Sequence, residues 1–339
     1  MNNKNLLNIG LIGFGYWGPN LARNFIENEK CNLKYICDLN SEVLKKAKIK
    51  FPSVETINDF KILLNDDSID AVAIATPVSS HYYLAKECLL ARKNVLVEKP
   101  ITDNSAQARE LIDIANSNDL ILMVDHTFLF SDSVNKINEI IKDDKFGDIA
   151  YYDSSRVNLG LFQQDVNVIW DLAVHDLSIM SFLLNEKPKL VSATGHKLSN
   201  HNQYYSAFIT LYHETVIAHI NVNWLSPVKI RKTLIGGVKN MVVYNDLSAS
   251  EKIKVYEKGV DISNSPDDIN RQLVSYRIGD IWSPNLKNSE ALANEISHFV
   301  ESILNNKKPK SDGDFALNIV RILESASDSI KENGRPQEL

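Results

Sequence analysis

Cysteine is scarce in this chain. Three occur in 339 residues, Cys31, Cys37 and Cys88, and none forms a CxxC pair. The odd count and the missing pairs exclude a disulfide framework. Cys37 and Cys88 fall inside apolar patterns and read as small core residues. Positive charge is not in excess either: 37 Lys and Arg against 43 Asp and Glu leave a net charge of −6. Such a surface does not advertise nucleic-acid or anionic-membrane binding, and neither partner is expected. Long apolar runs are missing, so no membrane-spanning helix is expected. The opening MNNKNLLNIGLIGFG is polar and then strand-like. It does not read as a signal peptide, and the cytoplasm is the natural compartment. There is no HExxH, no Cys/His zinc spacing and no GxxxxGK[ST]. Asp171, His175 and Asp176 have no evident reason to converge on a metal, so none is expected.

What is present is an ordinary globular composition, 44% hydrophobic and 24% charged, in a chain longer than one core usually serves. Two domains are expected, 1–125 and 126–339, with the C-terminal helix able to return to the first. Residues 6–12, 33–37, 69–76, 94–98 and 121–125 are short apolar runs. Helical stretches at 17–27, 41 onward, 79–90 and 105–117 separate them. That alternation predicts βαβ units and a parallel sheet. After residue 125 the rhythm changes. A helix at 133–143, a long strand at 149–159 and an apolar helix at 167–184 are followed by strands at 188–198, 204–212, 215–225, 229–235, 239–244 and 252–256. Residues 258–287 read as a polar loop, and helices at 289–304 and 313–331 close the chain. The fold class is therefore α/β: an N-terminal Rossmann domain plus a C-terminal α+β domain with a large, mostly antiparallel sheet. One face of that sheet needs a cover, and a partner subunit would supply it.

The segment Gly13-Phe14-Gly15-Tyr16-Trp17-Gly18 follows a strand and opens a helix. This is the context in which GxGxxG binds a dinucleotide. Gly13 permits the tight turn, Gly15 lets a pyrophosphate approach, and Gly18 lets helix and strand pack. Helix-start N–H groups would face the phosphates. Asp38 closes the second strand, where a carboxylate would bind the adenosine ribose hydroxyls. No arginine follows to receive a 2′-phosphate, so NAD is expected over NADP. Ala75, Thr76 and Pro77 end the third strand on the ligand edge of the sheet. His81 begins the next helix, either near the cofactor or as a packing or capping residue. Glu98-Lys99-Pro100 ends another strand on the same edge. The Lys99 charge can stabilise a developing alkoxide, and Pro100 restricts the backbone before it. Asp171 and His175 stand four apart on a predicted apolar helix and so share a face. Histidine is a natural acid–base group near neutrality, and a satisfied interface histidine is the competing reading.

Taken together, GFGYWG, ATPVSSH, the EKP at 98–100 and the Asp171/His175 pair resemble the Gfo/Idh/MocA oxidoreductase family. The resemblance spans essentially the whole chain. HTFLF (126–130), RVNLGLFQQDVNVIWDLAVHD (156–176) and NWLSPVKIRKTLIGG (223–237) are most similar to its bacterial nucleotide-sugar 3-dehydrogenase branch. Val174 stands where that branch has proline, and Asp125 where a small residue is usual. The resemblance implies that Lys99 and His175 flank the reacting sugar carbon, with His175 as proton acceptor and Lys99 stabilising the oxyanion. It implies that Asp171 positions substrate. Arg156 and Asn158 become candidate substrate contacts, and Lys229 and Arg231 candidate contacts to a sugar diphosphate or a neighbouring subunit. It also implies a homodimer or homotetramer built through the C-terminal sheet. The expected reaction is NAD-dependent oxidation of a nucleotide-sugar substrate to a 3-keto sugar, in surface-polysaccharide or rare-sugar biosynthesis. Oxidation or ketoreduction of a free sugar or polyol, glycoside hydrolysis by transient oxidation, and a non-catalytic NAD-binding scaffold are the alternatives.

Overall fold

The computed structural model describes residues 6–160, 166–184, 186–198, 203–262 and 274–339. The chain divides into two compact units, 1–131 with 289–324, and 132–288 with 325–339. The expected boundary at 125/126 is thereby redrawn, because the chain returns to its first unit after residue 288.

In the first unit, β1 (Leu7–Ile12), β2 (Cys31–Cys37), β3 (Glu55–Ile57), β4 (Ala71–Ile74), β5 (Asn94–Glu98) and β6 (Leu122–Asp125) form one sheet in the order β3-β2-β1-β4-β5-β6. Every pairing is parallel. Reversal of strand order next to β1 makes this a doubly wound sheet, with its ligand crevice expected at the strand C-termini. Crossovers are α1 (Gly18–Glu27), α2 (Ser41–Lys50), α3 (Phe60–Leu64), α4 (Val78–Leu90) and α5 (Ser105–Ser117). Strands buried on both faces read as continuous apolar runs, which is why 71–74 and 94–98 stood out. The short β3 and α3 did not, since three and five residues carry too little periodicity. Asn40, Asp59 and Asn104 cap α2, α3 and α5 by accepting backbone N–H bonds.

A 3₁₀ turn at Thr127–Phe130 follows β6. The returning segment supplies α8 (Ala291–Leu304), and α9 (Gly313–Lys331) begins in this unit. The tie is specific. Asn294 Nδ2 donates to the Phe130 carbonyl, Val124 N donates to the Ser311 carbonyl, and Arg23 pairs with Glu290 at 2.5 Å. Ile296, Phe299 and Val300 are fully buried, and each such side chain contributes roughly 1.5–3 kcal/mol of burial.

In the second unit, β7 (Ile149–Leu159), β8 (Leu190–Lys197), β9 (Tyr204–Tyr212), β10 (Ile217–Asn223), β11 (Leu225–Gly237), β12 (Met241–Asn245), β13 (Ile253–Tyr256), β16 (Ile281–Trp282) and β17 (Gln337–Glu338) form a nine-stranded sheet. Its order is β16-β13-β12-β11-β7-β10-β9-β8-β17. All its pairings are antiparallel except β10 with β7. Helices α6 (Asp132–Ile141) and α7 (Val174–Leu184) belong to this unit, and α7 packs on β7. Alternation sets the two faces. Tyr152, Ala207, Ile209, Ala218, Ile220 and Val222 are buried, whereas Tyr151, Phe208, Tyr212 and Ile217 are exposed. A hairpin, β14 (Gly259–Ile262) with β15 (Val274–Arg277), and β16 occupy part of the segment read as a loop. Residues 263–273 of that reading lie outside the described residues. Among the described residues no helix is long and apolar enough to cross a membrane.

Candidate active site

The glycine turn sits at the C-terminal end of β1. Gly13 has φ +94°, and a Cβ there would lie 2.4 Å from the Ala75 carbonyl oxygen. Only glycine fits such a position. A Cβ on Gly18 would meet the Gly13 carbonyl at 2.5 Å, so the helix start lies directly on the turn. Gly15 differs, since its Cβ would project into open space. That is the clear approach a pyrophosphate needs. Pro19 stands in the first turn of α1, where a missing N–H costs nothing. The first N–H groups of α1 have no intrahelical acceptors and are a ready anion site.

Asp38 follows β2. Its Oδ2 accepts from Phe14 N and its Oδ1 from Asn40 N, both at 2.8 Å. Each oxygen keeps a further lone pair, so the carboxylate can still accept from ribose hydroxyls. These residues fit a dinucleotide. The Phe14 ring itself is buried edge-on against Phe51, so only its backbone serves the turn. Tyr16 is 85% exposed.

Ala75, Thr76 and Pro77 connect β4 to α4, beside the turn. His81 is fully buried. Its Nδ1 faces the Pro100 carbonyl at 2.9 Å and its Nε2 the Thr76 carbonyl at 2.8 Å. Both nitrogens face backbone carbonyls, so His81 links the two loops, which favours the packing role over the cofactor contact that the sequence also offered. Lys99 is half-buried after β5, and its bond to Pro100 is cis.

Glu98 is the larger surprise. Its carboxyl lies against Asp125 at the end of β6 and Glu295 of α8. Asp125 and Glu295 are buried, and Glu98 is half-buried with its Oε1 shielded from solvent. Burial, then the Asp125 charge, pushes Glu98 and Glu295 well above the usual carboxylate range. Burial would raise Asp125 too, but hydrogen bonds from Glu98, Glu295, Thr127 and Trp17 outweigh it and hold Asp125 low. These opposed shifts favour one carboxylate, Asp125, beside two protonated acids. Sequence reasoning missed Glu295 because it lies 170 positions from Asp125. The only signal was Asp125 itself, a charge ending an apolar strand. A cavity of about 330 Å³ lined by Ile112, Leu122, Lys308 and Asp312 opens where β6 begins, the end remote from the glycine turn.

The second unit holds Asp171 and His175. The expected regular helix is π-helical over Ile169–Ala173 before α7 begins. Asp171 therefore lies on a widened turn, a feature frequent at functional sites. Its Oδ2 accepts from Trp224 Nε1 at 3.0 Å. Trp224 is fully buried, and Gly160 leaves it room, since a Cβ there would come within 2.4 Å of the indole. His175 is half-buried, and its carbonyl accepts from Ser178 Oγ.

Arg156 does not present itself to a ligand. It is 3% exposed, and its Nε donates to Asp176 Oδ2 at 2.5 Å. Ser154 Oγ donates to the same carboxylate at 2.6 Å. The expected substrate contact is thus a buried ion pair under α7, because positions 152, 154 and 156 of β7 point inward. Arg231 pairs with Asp246 at 3.1 Å. Asn158 is half-buried and Lys229 exposed. The structure brings the turn, Asp38, the β4 loop and Glu98 together in one unit, and Asp171, His175 and Arg156 fall in the other.

Residues 7–126 match the model of the oxidoreductase family with an NAD-binding Rossmann fold, and residues 134–243 match the Gfo/Idh/MocA C-terminal domain. A UDP-N-acetylglucosamine 3-dehydrogenase from Acidithiobacillus ferrooxidans is 29% identical over 216 residues, 61% of this chain and 64% of that one. Myo-inositol 2-dehydrogenase from Thermotoga maritima is 25% identical over 197 residues, 57% of this chain and 59% of that one. The chain thus aligns with about three-fifths of the length of these curated relatives. The solved structure of the Acidithiobacillus enzyme superposes with a TM-score of 0.81 at 21% identity, covering 96% of this chain and 98% of that one.

Proposed function

The chain belongs to the Gfo/Idh/MocA oxidoreductase family, and from that premise we propose that it is an NAD-dependent dehydrogenase oxidising the C3 hydroxyl of a nucleotide-linked sugar to a ketone. The observation that carries the cofactor half is the glycine turn with open space at Gly15 and a carboxylate, Asp38, at its flank. The sugar half rests on the stretches around 126–130, 156–176 and 223–237 and on the similarity to a UDP-N-acetylglucosamine 3-dehydrogenase.

Bound NAD supplies the hydride acceptor. Asp38 accepts from the adenosine ribose and repels a 2′-phosphate. The Lys99 ammonium stabilises negative charge on the substrate oxygen. His175 takes the hydroxyl proton, and Asp171, steadied by the Trp224 indole, orients a sugar hydroxyl. The exposed Lys229 is a candidate cation for a diphosphate, and Arg231, which also pairs with Asp246, is a second. Copies of the chain pair through the exposed face bearing Tyr151, Phe208 and Ile217, and light scattering that gives a monomer overturns that pairing.

The test is a panel of UDP-sugars and free sugars incubated with NAD and followed by NADH absorbance. Turnover confined to nucleotide sugars, with a product two hydrogens lighter, is expected. Turnover only with free polyols overturns the substrate class. His175→Ala is expected to slow turnover by ~10²–10⁴-fold, and near-normal turnover removes His175 from the proton-acceptor role. Asp38→Ala is expected to weaken discrimination against NADP, read as the ratio of kcat/KM for the two cofactors.

A further inference from the structure

The glycine turn is held at both ends by carboxylates. At one end Asp38 accepts from Phe14 N at 2.8 Å. At the other, Trp17, the residue before α1, donates its indole Nε1–H to Asp125 Oδ2 at 2.9 Å. Asp125 ends β6, next to the strand that carries Glu98 and Lys99, and Glu98 and Asp125 are register partners. Its other oxygen accepts from Thr127 Oγ1 at 2.5 Å. A hydroxyl has one proton to give, so Thr127 is spent on Asp125.

The surroundings decide how Asp125 is held. Among the described residues, Glu98 Oε1 and both carboxyl oxygens of Glu295 have no donor within reach. Buried polar oxygens are satisfied in native proteins. Facing a carboxylate, these two carboxyls meet that requirement by carrying protons and donating them to Asp125. The other titratable neighbours are Lys99 and His126, the latter buried and edge-on to Phe315. Burial drives the His126 pKa to about 4, so the ring is neutral and adds no charge.

We propose that Asp125 is a positioning residue for the cofactor: through the Trp17 indole it fixes the start of α1, and with it the glycine turn, to the end of β6 beside Glu98 and Lys99. This rests on the NAD reading given above but not on the identity of the sugar. Asp125 itself is 2% exposed. It acts through Trp17, and Glu98 and Glu295 are the neutral donors that let a carboxylate stand buried at that point. A small residue at 125 leaves the indole without this acceptor.

Four variants test the clamp, Trp17→Phe, Asp125→Ala, Asp125→Asn and the Trp17→Phe/Asp125→Ala pair, each checked for native circular dichroism. In the cofactor-free protein, amide hydrogen exchange over residues 13–21 is expected to accelerate several-fold in Trp17→Phe and Asp125→Ala, while β1 and β4 stay protected. NADH dissociation constants are expected to rise about tenfold in both single variants, the size of one charge-assisted hydrogen bond. The double variant is expected to be no weaker than Asp125→Ala alone, because both changes remove one contact. Asp125→Asn retains an acceptor for the indole and is expected to recover most of the affinity. Folded Trp17→Phe with unchanged exchange and unchanged NADH affinity overturns the proposal, as does a double variant whose losses multiply to about a hundredfold. If Asp125→Ala fails to fold, Trp17→Phe and Asp125→Asn carry the same decision. Altered exchange in a chain that binds no NADH supports the clamp and sinks the cofactor reading instead, so the two failures are separable.

Discussion

The two units bury charge by opposite means. In the first, Glu98, Asp125 and Glu295 share one negative charge and two protons. In the second, Arg156 and Asp176 neutralise each other inside the sheet, with Ser154 closing the shell. A charge paired with an opposite charge needs no proton to stay buried. A group of like charges does, so its stability is tied to pH. The ion pair is therefore a fixed structural part, whereas the carboxyl cluster depends on protonation.

The largest effect expected from this contrast is at Arg156. Arg156→Ala strands the Asp176 carboxylate in the core, and losses of about 3–5 kcal/mol accompany such unpairing. Urea unfolding measures it. Replacing both partners, Arg156→Met with Asp176→Leu, is expected to restore most of that loss, since a buried pair gains little over a packed apolar one. A double variant as unstable as Arg156→Ala breaks the comparison, because the pair would then not act as a unit. Substrate KM separates the structural role from the binding role first assigned to Arg156. A folded double variant with unchanged KM supports the structural one.

The first unit was largely legible in the sequence and the second only in outline, for a physical reason. Parallel strands buried on both faces leave apolar runs, and the glycines at 13 and 18 stand where a Cβ would strike backbone, with Gly15 leaving open space between them. Those signals are local. The roles of Arg156, His81 and Glu98 are set by partners 20, 19 and about 200 positions away, Asp176, Pro100 and Glu295. Spacing could flag them as polar residues in apolar surroundings but could not tell a ligand contact from an internal bond. A return of the C-terminal helix was open from the sequence, but that α8 precedes it into the first unit was not, since helix amphipathicity does not name the surface it covers. The π-helical turn at Asp171 was also beyond periodicity, because one added residue per turn looks like any apolar helix.

His126 adds an acid-side dependence in the first unit. Its ring is buried and its pKa falls from 6.5 to about 4, burial being the main cause. Between those values the unfolded chain binds a proton that the native chain does not. Stability therefore falls as pH drops through that window, by about 3 kcal/mol at 1.36 kcal/mol per unit. His126→Phe keeps a ring against Phe315 and removes the titration. The acid limb of its unfolding profile is expected to flatten by that amount. Parallel profiles for the two proteins would mean that His126 is solvated.

The smallest effect expected, and the one with opposite sign, belongs to Glu295. Its carboxyl is neutral in the native state, raised by burial and by Asp125, and ionised in the unfolded chain above the ordinary glutamate range. The native state thus binds the extra proton, so stability is full below the unfolded pKa and declines as pH rises toward the folded one. Glu295→Gln retains an N–H donor for Asp125 and cannot ionise. At acid pH it is expected to differ from the wild type by no more than about 1 kcal/mol, the net worth of one hydrogen bond. As pH rises the wild type alone loses stability, so the variant gains relative to it, with the remaining slope due to Glu98. Applied to Asp176→Asn in the second unit, the same glutamine-type swap is expected to destabilise at neutral pH, because there the charge itself holds Arg156. Amide variants that shift stability in the same direction in both units at neutral pH would erase the distinction between proton sharing and ion pairing.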